Sequence, residues 1–168
     1  MDTNEYKVCK EMLYQRNYTI VEENKDIIIA LKDNNETLFV FFINTPKLNL
    51  NMVKSCVTQM EEEKVSHSII VYKNTITPPV YKCINSLSKK TIELFSTEEL
   101  GFNPTKHRLV PKHEKLPKEE SRELLSKYKT NFPYLLITDP ISRFYNYQKG
   151  DVIKITRQNG YVMYRLVK

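Results

Sequence analysis

The chain has 168 residues, with 40% hydrophobic and 27% charged residues and a net charge of +6. That is enough apolar surface for a packed core, in one larger domain or two small ones, and it excludes a disordered polyelectrolyte. The longest apolar stretches, residues 27–31 and 38–43, fall far short of the roughly 18 residues that a membrane-spanning helix needs, so neither a membrane partner nor a signal peptide is expected.

Tyr6, Cys9, Met12 and Leu13 recur at helical spacing and predict a first helix over residues 3–16, stopping near Asn17. Two short strands follow, over 26–31 and 38–43, rich in β-branched and aromatic residues and joined by a Lys-Asp-Asn-Asn-Glu hairpin turn. Met52, Val53, Cys56, Val57 and Met60 mark an amphipathic helix over 51–64 that closes in a solvated acidic run, Glu61-Glu62-Glu63. A strand over 68–72, a short helix over 78–87 with prolines in its first turn, and a strand over 91–95 complete an α/β layered domain. Between 101 and 117 the periodicity lapses and Pro104, Pro111 and Pro117 punctuate a basic stretch, read as a linker.

Beyond it a helix over 118–129 carries Leu124, Leu125 and Tyr128 on one side, with Lys118, Lys127 and Lys129 as a solvated face. Asp139-Pro140 marks a turn in which Asp139 caps a helical turn through Arg143, Phe144 and Tyr145. Strands over 151–157 and 161–167 flank Asn159-Gly160, predicted to form a two-residue turn with positive φ at both positions. A smaller α+β domain results, giving expected domains over 1–103 and 104–168.

Charge divides the same way. Residues 1–103 hold 12 Lys and Arg against 14 Asp and Glu, whereas residues 104–168 hold 14 against 6. The basic character belongs to the second domain, which suits nucleic acid or an acidic protein surface equally. Cys9, Cys56 and Cys83 show no C-x-x-C spacing, and His67, His107 and His113 supply no ligand pair. Neither a disulfide framework nor a metal or other cofactor is expected, and a reducing compartment fits.

Several motifs occur in a fixed order: Ile70-Val71-Tyr72-Lys73-Asn74-Thr75-Ile76-Thr77-Pro78, Thr91-Ile92-Glu93-Leu94-Phe95, His107-Arg108-Leu109-Val110-Pro111-Lys112-His113, Arg122-Glu123-Leu124-Leu125, Asp139-Pro140-Ile141, and Lys149-Gly150-Asp151-Val152-Ile153-Lys154-Ile155. In these the chain resembles the fifth subunit of eukaryotic nuclear RNA polymerases, whose C-terminal part is similar to a small archaeal RNA polymerase subunit. The resemblance is close over 68–168 and weaker before.

It implies a non-catalytic polymerase subunit without cofactors: a restriction-endonuclease-like, three-layer α/β jaw over 1–103 beside downstream duplex DNA, and an assembly domain over 104–168 that docks on the largest subunit. The excess of acids over 1–103 and its few cations near Thr77-Pro78-Pro79 make the expected DNA contact weak and without sequence preference. The resemblance implies DNA-proximal positions at Lys73, Thr77, Pro78, Pro79 and Arg157. The largest-subunit interface falls on Leu109, Val110, Pro111, Lys112, His113, Asp139, Pro140, Arg143 and Arg165. The loop between the last two strands is longer in the family and is compressed here to Arg157-Gln158-Asn159-Gly160-Tyr161. No homo-oligomer is expected, and the site of action is the nucleus or, for a virus-encoded version, the virion or site of viral transcription.

Two other readings have sequence arguments. A free-standing basic DNA-binding factor would explain the charge, but no helix-turn-helix, zinc finger or aromatic RNA-binding signature is present. A metal-dependent nuclease needs carboxylates and a lysine converging at strand ends. The second apolar strand, Leu38-Phe39-Val40-Phe41-Phe42-Ile43, ends without them.

Overall fold

A computed structural model describes residues 3–128 and 132–168. They form two compact units, Met1–Phe102 and Asn103–Lys168. The first opens with α1 (Asn4–Gln15), β1 (Tyr18–Glu23), β2 (Ile27–Lys32), β3 (Thr37–Ile43) and the short β4 (Lys47–Leu48). It continues through α2 (Leu50–Glu62), β5 (His67–Tyr72), the short β6 (Thr75–Ile76), α3 (Pro78–Ser86) and β7 (Thr91–Ser96). Its main sheet has the order β1-β2-β3-β5-β7. The first three strands are antiparallel neighbours, and β5 and β7 join parallel to β3.

Parallel neighbours need crossovers, which α2 and α3 provide, and a central strand covered on both faces must be apolar throughout. β3 satisfies this: Leu38, Phe39, Val40, Phe41 and Phe42 are all buried. One face packs Phe39, Phe41 and Ile70 against Val53, Cys56 and Met60 of α2 and Val80 of α3. The opposite face carries Ile28, Ala30, Val40, Ile69 and Val71, and α1 buries Val8, Cys9, Met12 and Leu13; Tyr6 of α1 packs on Phe42 at 5.1 Å. The result is the expected three-layer α/β arrangement.

β1 was not predicted. Val21 bulges out of its register between Ile20 and Glu22 and is exposed, and Glu22 and Glu23 follow. Such a charged, bulged strand is a sheet edge protected from further pairing, and it leaves no alternating apolar signal. Asn17, where the first helix was expected to stop, adopts a left-handed φ of 63°, which asparagine tolerates at a helix C-terminus.

The second unit contains β8 (Lys112–Lys115), α4 (Lys118–Tyr128), β9 (Tyr134–Leu135), α5 (Pro140–Tyr145), β10 (Val152–Thr156) and β11 (Val162–Val167), with sheet order β8-β10-β11-β9. α4 was expected to reach Lys129, which lies outside the described residues. One sheet face carries Ile153, Ile155 and Val167 and packs on Ile141 and Tyr147 at α5. Val152, on the other face, packs with Leu116 and Phe132, flanked by Leu124 and Leu125 of α4.

Two expectations require correction. The stretch read as linker contains β8, an edge strand paired with β10 from Lys112↔Thr156 to Lys115↔Ile153; Lys-His-Glu-Lys lacks the apolar alternation that announces a strand. The last hairpin is not a two-residue turn. Gly160 N–H bonds Arg157 O and Arg157 N–H bonds Tyr161 O, and only Gly160, with φ of 79°, is left-handed. That is a type I turn closed by a glycine bulge, in which Asn159 accepts a bond from Tyr161 N–H instead of adopting positive φ. A Cβ at Gly160 would meet no atom, so Gly160→Val should destabilise the second unit through backbone strain alone, by roughly 1–2 kcal/mol. A lowered thermal midpoint, with a smaller loss for Gly160→Asn, is the expected outcome.

Candidate functional site

The sheet register of the second unit builds a cleft of about 610 Å³. Paired residues of neighbouring strands share a face. Ile155 therefore lies between His113 on β8 and Met163 on β11, and Ile153 between Lys115 and Arg165. His113, Ile155, Met163 and Arg165 line the cleft, closed on one side by Arg108, Leu109, Val110 and Pro111 and on the other by Leu135, Asp139 and Ile141; Arg157, Gln158 and Asn159 reach it from the hairpin.

Individual contacts fix this geometry. Asp139 caps α5, its Oδ1 accepting from Ile141 N–H at 2.8 Å. The Nδ1–H of His113 donates to Pro111 O at 2.8 Å, which leaves Nε2 as an acceptor on the neutral ring. Burial pushes the His113 pKa below its ordinary value, helped by Arg165 and opposed by the Pro111 bond and Asp139. Gln158 donates from Nε2 to Arg108 O at 3.1 Å, tying the hairpin to the wall. Arg165 touches Tyr134 O only at 3.5 Å, and its Nε is buried without a partner. Leu109 stands 75% exposed on the rim.

Of the positions expected at a large-subunit interface, Leu109, Val110, Pro111, His113, Asp139 and Arg165 line this one cleft. Lys112 takes the other face of β8 by strand alternation and pairs with Glu114 at 2.7 Å. Pro140 is exposed in the first turn of α5, and Arg143 lies on its last turn. Arg157, expected near DNA, lines the cleft and stacks over Tyr161 at 5.9 Å.

The other expected DNA-proximal positions belong to the first unit. Thr77 N–H bonds Leu48 O at 3.2 Å, and Thr77 O accepts from Val80 N–H at 3.0 Å. Val80 is fully buried, so the exposed Pro78 and Pro79 are held on a fixed helix start. Lys73 is exposed in the turn between β5 and β6. A further cleft of the first unit is lined by Asn24, Asp26, Phe42, Thr45, Met52 and Gln59 among others; among the described residues its single carboxylate is Asp26, and no lysine lines it.

The sequence reading missed a buried polar network on the α1 face of the first unit. Arg16 grips Glu93 through two bonds of 2.8 Å, and His67 Nε2 meets Glu93 Oε1 at 2.7 Å. His67 Nδ1 lies 3.2 Å from Glu36 Oε1, which accepts from Tyr18 OH at 2.8 Å. A signal existed: Glu93 interrupts the apolar strand Thr91-Ile92-Glu93-Leu94-Phe95, and a carboxylate there needs a buried cation. Burial opposes ionisation of Glu93, but the charge of Arg16 and the bonds from His67 and Arg16 outweigh it, holding the carboxyl below its ordinary value of 4.5. Glu36 is lowered too: burial raises it, and bonds from Tyr18 and His67 more than compensate. Burial pushes the neighbouring Cys9 thiol up to about 12.

These carboxylates bind protons less readily folded than unfolded. Their stabilisation is therefore complete above the ordinary carboxylate range and is lost as pH falls below 4.5 through the depressed folded values. Thermal melts from pH 7 to pH 3 should show a falling midpoint below that point, with a shallower acid limb in Glu93→Gln. Glu93→Ala, which strands the buried Arg16 guanidinium, should cost about 3 kcal/mol or more.

Comparison with known proteins gives this architecture a class. The family model described as RNA polymerase Rpb5, C-terminal domain, matches residues 102–167, which is nearly all of the second unit. The Dictyostelium discoideum protein named DNA-directed RNA polymerases I, II, and III subunit rpabc1 is 35% identical over 93% of this chain and 85% of its own. The Caenorhabditis briggsae protein of the same subunit name is 30% identical over 96% and 92%. A protein of Invertebrate iridescent virus 6, named as a DNA-directed RNA polymerase subunit, is 32% identical over the whole of both chains. The class is that of subunits of DNA-directed RNA polymerases. Within it, the chain belongs to the RPABC1, or Rpb5, family.

Proposed function

We propose that this chain is a non-catalytic subunit of a multisubunit DNA-directed RNA polymerase, with residues 103–168 docking on the largest subunit and residues 1–102 acting as a jaw beside downstream DNA. The observation that carries the docking half is the cleft, where separate segments deliver Leu109, Val110, Pro111, His113, Asp139 and Arg165 to one surface. An exposed leucine at the rim of an apolar floor suits a permanent subunit interface, whose centre is apolar and closely packed.

The jaw half rests on the exposed Pro78-Pro79 start of α3 with Lys73 nearby. Few cations are available there, so the contact with duplex is weak and indifferent to sequence. The assembled enzyme makes it effectively intramolecular by holding the DNA. No catalytic role or cofactor is assigned. The Asp26 cleft, with one carboxylate and no lysine, gives a nuclease no support, because metal-assisted cleavage needs several converging groups. The chain acts in the nucleus or, if virus-encoded, at the site of viral transcription.

A fragment of residues 103–168 should co-purify with the largest subunit through high salt, and Leu109→Asp in the full chain should abolish that retention. Retention of a 1–102 fragment alone would reverse the roles. Crosslinkers at positions 77 and 79 should reach DNA downstream of the active site in an elongation complex; crosslinks to protein alone would leave the proline turn as scaffold.

A further inference from the structure

The docking cleft is electrostatically one-sided. Among the described residues, Arg108, Arg157 and Arg165 line it against a single carboxylate, Asp139, and Asp139 already spends one oxygen on the α5 cap. None of the three guanidinium groups has an ion-pair partner among the described residues; Arg157 stacks on Tyr161, and Arg165 has the long contact to Tyr134 O. Of the unit's other acids, Glu114 pairs with Lys112 and Asp151 with Lys115, and Glu119, Glu120 and Glu123 lie exposed on α4. A buried, unpartnered guanidinium nitrogen is costly in the free subunit, and Arg165 Nε is one. The floor beneath is apolar, formed by Ile155, Met163 and Leu135, with Leu109 at the rim.

Resting on the docking reading above, we infer that the cleft takes an acidic segment of the largest polymerase subunit, one that seats an apolar side chain on the Ile155–Met163 floor and presents a carboxylate to Arg165, with further acidic residues facing Arg157 and Arg108. Charge complementarity selects an acidic occupant, and the apolar floor selects protein over a nucleic-acid backbone, whose phosphates gain nothing from burying Met163 or Leu109. Arg165 acts as the central anchor because its guanidinium is already partly desolvated, so a carboxylate there gains a charge-assisted, forked pair. Arg157 and Arg108 sit at the wet rim, where charge governs encounter and salt dependence more than lifetime.

The test is reconstitution of the full chain with polymerase lacking this subunit, measuring affinity from 50 mM to 500 mM salt alongside the melting of the free chain. Arg165→Met keeps the apolar stem and removes the unpaired charge; it should leave the free chain's melting midpoint unchanged or raised and weaken binding on the order of thirtyfold. Arg157→Gln and Arg108→Gln should each weaken binding by about two- to fivefold and flatten its salt dependence. Should Arg165→Met lower the melting midpoint and binding together, Arg165 is structural, and the salt dependence of the two rim variants decides. Unchanged affinity and salt slope in the triple variant, with Leu109→Asp still abolishing binding, would overturn the acidic occupant while leaving the docking cleft standing. Wild-type binding by Leu109→Asp would remove the docking reading itself and this inference with it. Arginine variants that bind polymerase normally yet lose DNA crosslinks in the assembled enzyme would reassign these cations to nucleic acid.

Discussion

Ile155 has His113 on one side of it and Met163 on the other, and the second unit's surface chemistry depends on that register. The hairpin arms β10 and β11 and the distant stretch through β8 are locked by antiparallel pairing so that alternate residues of each face α5. A slip of one residue would turn His113 and Arg165 to the α4 side and bring Lys112, Glu114 and Tyr164 to the cleft. The apolar residues enforce the register: Ile153 and Ile155 must lie under α5 while Val152 lies under α4. The cleft's polar residues are carried along by that core.

The first unit is held by a different balance. Its centre is two strands buried on both faces, β3 apolar throughout and β5 apolar from Ile69 onward, where shape and hydrophobicity suffice for packing. On the α1 face it also holds Arg16, Glu93, His67, Glu36 and Tyr18 as one hydrogen-bonded group. Ions so placed need every partner present, since losing one strands a charge in low dielectric. The network joins the end of α1 to β1, to the β2–β3 turn and to the strands β5 and β7, so it ties the antiparallel edge of the sheet to its parallel part.

The two units thus use charge in opposite ways. In the first, each buried ion has its counter-charge within the unit, and the pairing contributes to folding. In the second, the arginines of the cleft have none among the described residues, and their unspent electrostatic energy is available to a partner.

Much of this was legible in the sequence, for local reasons. Unbroken apolar runs gave β3 and β5, helical spacing gave α1 and α2, Pro78-Pro79 marked a helix start, and Asp139 beside Pro140 announced the cap that α5 has. The polymerase resemblance rested on ordered motifs, and relatives of 30–35% identity bear it out. What the sequence could not yield were features whose stabilising partner is distant. β8 has no apolar residue and is a strand only because β10 offers it hydrogen bonds. β1 is a charged edge, visible only beside β2. Asn159-Gly160 signalled a hairpin, but the bonds of Arg157 with Gly160 and Tyr161 decided which turn it forms. Arg16 and Glu93 are separated by most of the first unit's length, and only the folded sheet brings them to 2.8 Å. Local propensity is written residue by residue, whereas edge pairing, buried ion pairs and the walls of a cleft exist only once the chain has closed on itself.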